Sequence, residues 1–417
     1  MTIEEILQAC EEELSDRFAA FDKREQLWTE RVLKAFQKHE ISYRHFAGTT
    51  GYGNGDIGRD ALESVFADVF ATQAAIVRPA IASGTAALAH ALMGLTRPGE
   101  EILSATGHPY DTMEEILGIN AGTTAPGAMT EYGIAYREVP LTTEGYIDLE
   151  AVEKAITPKT TLVIAQRSRG YAWRPSLMPE EFRPLCEMIH TKHPGVRIMV
   201  DNCYGEFVAD SEPSMAGADV CVGSLIKNPG GGLAPTGGYM VGTQEAIDRI
   251  ASRITAPGIG LEVGSYQPGY QLFFQGLFMA PHTVAQALKV ACLSARVFEK
   301  LGLESVPGAF DERSDIIQAI KLETPERLIR FCQGIQMASP VDAMAMPEPW
   351  DMPGYTDQVI MAAGTFVAGA SIELSADGPM RAPYTAYMQG SLTYAHGRYA
   401  LCTALNHMVK GNAISLD

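Results

Sequence analysis

Apolar positions follow two rhythms along the chain. Residues 3–39 repeat them at helical spacing (Ile3, Ile6, Leu7, Cys10, Leu14, Phe18), which predicts two helices. From about residue 61 short β-rich runs appear: "AIVRPAI", "EILSA", "IAYREVP", "TLVIAQ", "VRIMVD", "DVCVGS" and "GGYMVG". Helical patterns at 85–95, 111–119, 148–156 and 178–191 separate most of them, and a long one covers 281–300. Strands alternating with helices predict an α/β fold with a mostly parallel sheet covered on both faces. Further on, "GIQMASP", "DQVIMAAGTFV" and "ASIELSA" read as strands of a smaller α+β unit, closed by a helix near 391–410. The expected organisation is a helical arm and loop over 1–60, a large α/β domain over 61–300 and a small C-terminal α+β domain over 301–417.

Composition narrows the function classes. Of 417 residues, 46% are apolar and 20% charged, ordinary for a globular chain with a sizeable core. The net charge of −18 argues against nucleic-acid or anionic-membrane partners, which call for basic patches. Seven cysteines without a C-x-x-C pair fit a reducing compartment better than a disulfide framework. The acidic start "MTIEEILQACEEEL" lacks the basic end and apolar run of a signal peptide. No apolar run approaches the length of a membrane span. A cytoplasmic protein is expected. The nine histidines form no H-E-x-x-H, and no metal site is expected.

Two motifs fall to their bland readings. "GNGDIG" (Gly53–Gly58) matches a dinucleotide fingerprint but follows no strand, so it reads as a loop. "SLIK" matches S-x-x-K, but Asn228-Pro229-Gly230 stops a helix at once and no partner motif occurs. Four other features converge. Ser83, Gly84 and Thr85 open an Ala/Leu-rich helix after a strand, which makes a phosphate cradle. Asp201 ends the strand "VRIMVD", where open α/β sheets place ligands. The strand "DVCVGS" delivers Ser224 and Lys227 to the same rim, and Tyr110 follows the strand "EILSA". These are the parts of a pyridoxal phosphate site. Lys227 would form the Schiff base, Asp201 would keep the pyridine nitrogen protonated, Tyr110 would stack on the ring, and the cradle with Ser224 would hold the phosphate. The glycines after Lys227 are expected to leave room for its amine to swing.

With those residues in view, the sequence resembles the fold-type I pyridoxal phosphate enzymes of cysteine and methionine metabolism. It is most similar to the branch known as methionine gamma-lyase-like or aluminium resistance proteins, also described as cystathionine beta-lyases. The stretches that carry the likeness include "GYGNGDIGRDALESVFADVF", "RPAIASGTAAL", "GHPYDTMEEILG", "VDNCYGEF", "GSLIKNPGGGLAPTGGYMVG" and "IELSADGPMRAPYTAYMQG". The resemblance implies a seven-stranded, mostly parallel sheet, with Lys227 and Asp201 as the cofactor's amine and acid. It implies that Tyr52 and Arg59 reach a neighbouring subunit's phosphate, hence a homo-oligomer built on dimers and expected as a tetramer. Two departures stand out. Ile226 precedes the lysine where the sulfur lyases have Thr, and Glu373 stands before Leu374-Ser375 where they keep the arginine for the substrate carboxylate. Arg381 is the first candidate to replace it, with Arg167 and Arg169 as competitors. The expected reaction is elimination of a thiol from a sulfur amino acid, giving keto acid and ammonia, with Lys227 moving the Cα proton and Tyr110 serving the leaving group. Aminotransfer, a pyridoxal phosphate-binding regulator without turnover, and a cofactor-free acidic scaffold are the alternatives.

Overall fold

The computed structural model describes residues 2–120, 125–352, 355 and 357–416. Seven strands form the first sheet: β1 (Ala74–Arg78), β2 (Glu101–Ser104), β3 (Ala135–Glu138), β4 (Thr160–Gln166), β5 (Arg197–Asp201), β6 (Val220–Ser224) and β7 (Gly238–Gly242). Their order is β1-β7-β6-β5-β4-β2-β3, and β7 alone runs against the rest. Each of these strands coincides with a run that the sequence pattern marks, β1 and β4 starting one residue before theirs. The reason is burial on both faces. Ile198 and Val200 of β5 face one apolar cluster and Met199 faces the other, so both members of the alternation are apolar.

Among the helices that connect and cover this sheet are α1 (Ile3–Glu13), α2 (Ser15–Lys38), α3 (Ile57–Val69), α4 (Gly84–Leu95), α5 (Asp111–Leu117), α6 (Leu149–Ala155), α7 (Phe182–Lys192), α8 (Gln244–Ile254) and α9 (Gln271–Lys300). The N-terminal helices are packed against this body. Trp28 of α2 is buried and donates to the Ala209 carbonyl at 2.7 Å, and Phe36 meets Phe274 of α9 edge-on at 5.8 Å. Helix α9 begins ten residues before the predicted 281 and carries Pro281 inside it.

A second, five-stranded antiparallel sheet contains β8 (Ser305–Val306), β9 (Ile317–Lys321), β10 (Val359–Ala362), β11 (Ser375–Pro379) and β12 (Thr385–Gln389), in the order β10-β11-β12-β9-β8. Helices α10 (Pro325–Met337) and α11 (Tyr394–Lys410) complete it. Here the sequence reading is corrected in two places. "GIQM" ends a helix rather than starting a strand, because Phe331, Cys332 and Ile335 form a helical apolar stripe. The strand expected at "ASIELSA" lies later, over Ser375–Pro379, with "ADGP" inside it and every residue buried.

Candidate active site

The C-terminal ends of parallel strands share one rim. Strand β5 ends at Asp201, β6 at Ser224, and β1 leads into the turn before α4. Ser83 caps α4, its Oγ accepting the Ala86 N–H at 3.0 Å. A Cβ at Gly84 would meet the Ser224 Cβ at 3.0 Å and the Cys203 Sγ at 3.6 Å. Glycine there keeps the helix N-terminus bare for an anion. Ser83, Gly84, Thr85, Tyr110, Asp201, Ser224 and Lys227 all line a single cavity of about 540 Å³. The sheet fixes the relation between Asp201 and Lys227, since both follow directly from neighbouring strands β5 and β6.

Lys227 Nζ lies 3.9 Å above the centre of the Tyr204 ring. Tyr204 takes a left-handed backbone (φ 72°), a strained conformation for a bulky residue. Burial works to lower the Lys227 pKa, but Cys203, Tyr204, Asp201 and Glu206 outweigh it and raise it. Burial raises Asp201 in turn, opposed by the Lys227 charge and the Cys203 N–H, which donates to its carboxylate at 3.1 Å. The Tyr110 phenol is raised by burial and by the nearby Asp201 charge. Beneath the lysine, burial pushes Glu206 up to about 8, against the Tyr239 hydroxyl that donates to it at 2.7 Å. An amine, a strand-end acid and a bare helix N-terminus around one cavity suit an aldehyde-bearing, phosphorylated pyridine. Among the described residues no group of three or more His, Cys, Asp and Glu is arranged to hold a metal.

The glycines after Lys227 do a different job from the one expected. A Cβ on Gly230 would collide with the Leu225 carbonyl, and one on Gly231 with the Gly276 carbonyl of α9. They let α9 press onto the Asn228–Gly230 turn, and so fix the lysine's backbone rather than make room for its amine. Asn228 pins that turn by donating to the Tyr204 and Glu206 carbonyls, each at 3.0 Å.

The three candidate arginines have distinct places. Arg167 is buried outside the cavity lining, paired with Glu212 at 2.9 Å and with Asn202 at 2.7 Å. Arg381 lines the cavity but is 54% exposed and paired with Asp357 at 3.0 Å. Arg169 lines the cavity, is buried, and donates through Nη1 to the Val306 carbonyl at 2.7 Å, while Nε lies 4.0 Å from the buried Asp315 carboxylate and Nη2 has no hydrogen-bond partner. Tyr52 and Arg59 lie outside their own chain's cavity. Tyr52 is 79% exposed, and buried Arg59 ties down its loop by donating to the Gly53 carbonyl at 2.9 Å. The sequence reading missed Tyr204, Tyr171, Asp377, Tyr387 and Gln389, all on the cavity wall. Tyr204 stands three residues after Asp201 and could have been noticed. The others reach the cavity through tertiary structure alone.

The methionine gamma-lyase family model matches residues 3–409. An uncharacterised Bacillus subtilis protein, YnbB, is 51% identical over 384 residues, 92% of this chain and 91% of its own. The crystal structure of a carbon-sulfur lyase involved in aluminum resistance from Clostridium novyi NT is 44% identical, with a TM-score of 0.93 over 97% of this chain and 95% of that one. L-methionine gamma-lyase of Pseudomonas putida is 29% identical over 174 residues, 41% of this chain and 38% of its own. With these matches added to the sheet and its rim, the chain belongs to the methionine gamma-lyase family of pyridoxal 5'-phosphate enzymes.

Proposed function

We propose that this cavity is the active site of a carbon-sulfur lyase that eliminates a thiol from a sulfur amino acid. One observation carries the reading: Lys227, Asp201 and the N-terminus of α4 face the same cavity as Arg169, whose Nη2 has no hydrogen-bond partner and can receive a carboxylate oxygen. When bound, pyridoxal phosphate supplies the electron sink for a bond broken at Cα. The chain's residues do the rest. The amides and hydroxyls of Ser83, Gly84, Thr85 and Ser224 hold the phosphate. Asp201 holds the proton on the pyridine nitrogen. Lys227 Nζ would anchor the cofactor and would be the base that moves the Cα proton. Tyr204, under the lysine, keeps that amine in place by its ring face. Arg169 orients the substrate by a charge-assisted hydrogen bond from Nη2 to its carboxylate. Tyr110, on the cavity wall, would flank the cofactor and hold a proton for the departing sulfur, its phenol kept protonated by burial.

The test is direct. The cofactor-loaded protein is given S-substituted cysteines and homocysteines with no second keto acid. Release of thiol, keto acid and ammonia is expected, and Lys227→Ala should abolish it. An aminotransferase would need an added keto acid, and a regulator would release nothing, so either result would overturn the reading.

A further inference from the structure

Asp377 sits on β11, 6% exposed, and lines the cavity. Its Oδ2 accepts the Gln389 Nε2 at 3.1 Å, but its Oδ1 has no hydrogen-bond partner. Three tyrosines stand around it on the same wall. The Tyr171 ring lies 4.9 Å from Tyr387 and 5.7 Å from Tyr355, centre to centre. The Tyr387 hydroxyl is already committed to the Tyr171 carbonyl at 2.6 Å, so it cannot serve Oδ1. Burial pushes the Asp377 carboxyl up to about 7, although the Tyr171 hydroxyl and Gln389 favour its charged form.

The Tyr171 hydroxyl is a neighbouring donor but makes no close hydrogen bond to Oδ1, and a buried acceptor so poorly served costs up to about 1–3 kcal/mol. An alkyl thioether end, such as that of methionine, offers it nothing. Aromatic faces around a carboxylate are the setting that attracts a cation. A sulfonium would satisfy the rings but has no N–H for Oδ1, whereas a primary ammonium satisfies both. Arg169, on the same wall, keeps Nη2 for the substrate's α-carboxylate. Resting on the lyase reading, we propose that Asp377, framed by Tyr171, Tyr355 and Tyr387, receives a primary ammonium at the far end of the substrate's side chain, so that preferred substrates are thioether amino acids ending in an amine.

The experiment uses the cofactor-loaded protein and two matched pairs. L-lysine and L-2-aminoheptanoate have no sulfur to lose, and their binding is measured by calorimetry. S-(2-aminoethyl)-L-cysteine and S-propyl-L-cysteine are compared by kcat/KM for keto acid release. In the unmutated protein the amine of each pair is expected to win by about tenfold or more, as for a hydrogen bond to a charged group. In Asp377→Asn, which keeps size and the Gln389 contact, both ratios should fall to about one. Equal binding of the first pair in the unmutated protein overturns the proposal, as does a preference that survives Asp377→Asn. If lysine is preferred but neither thioether yields keto acid, the subsite stands and the lyase reading falls.

Discussion

Asp201 and Asp377 are buried carboxyls on the same cavity, and their replacements should fail differently. Asp201→Asn keeps the shape but removes the charge proposed to hold the pyridinium proton. Cofactor should stay bound while elimination falls by about three orders of magnitude, or about 4 kcal/mol. Near-normal turnover with cofactor in place would refute that role. The arginines separate in the same way. Arg169→Lys keeps a charge but loses the planar fork, so KM for amino acids should rise by about tenfold or more. Arg381→Ala, which loses an exposed pair with Asp357, should change KM by less than about threefold, since exposed ion pairs contribute little. The reverse order in steady-state kinetics would make Arg381 the clamp. At this scale Lys227 and Asp201 were legible because Asp201 ends one apolar strand of the first sheet and Lys227 comes three residues after the next. Arg169 was no more than one of three arginines, since only tertiary burial distinguishes it from Arg167.

The contact between α9 and the turn after Lys227 is the element on which the site depends most. Gly230, Gly231 and Gly276 meet backbone to backbone there. Gly276→Ala would put a methyl against the Gly230 carbonyl and should cost about 1–3 kcal/mol, as overpacking does. Urea unfolding of the cofactor-free protein would report it as a lower midpoint, and an unchanged midpoint would mean that the contact is loose. The same scale explains what the pattern revealed. Strands of the first sheet, covered on both faces, read as unbroken apolar runs. Strand β11, "SADGP", carries no apolar side chain larger than Ala or Pro, and sequence chemistry marks it as a turn. Asp377 was hidden for that reason. Pro281 hid the first turns of α9, where tertiary packing overrides local preference.

For the whole molecule, buried acids set a pH response. The folded Glu206 sits at about 8 and Asp377 at about 7, both above the usual carboxylate range near about 4. Between those limits the folded chain holds protons that the unfolded chain has released. Their contribution is therefore complete below pH about 4 and is lost as pH rises toward about 8. The urea midpoint of the cofactor-free protein should fall across that window, and Glu206→Gln should flatten the slope. An unaltered slope would assign the response to other groups. Assembly has its own test. If exposed Tyr52 serves a partner's site, mixing Tyr52→Ala with Lys227→Ala should restore part of the activity through hybrid pairs. No recovery despite demonstrated subunit exchange would mean that each site is built within one chain. The cavity also has a division along the chain. Within the chain's own cavity the groups proposed to hold the cofactor fall between Ser83 and Lys227, while Asp377, Arg381, Tyr387 and Gln389 ride on the late antiparallel sheet or the turn within it. Drift in those last strands could retune which amino acid is accepted while the bond-breaking apparatus stays intact, so diversification among descendants of this gene should concentrate in its final exchangeable cassette.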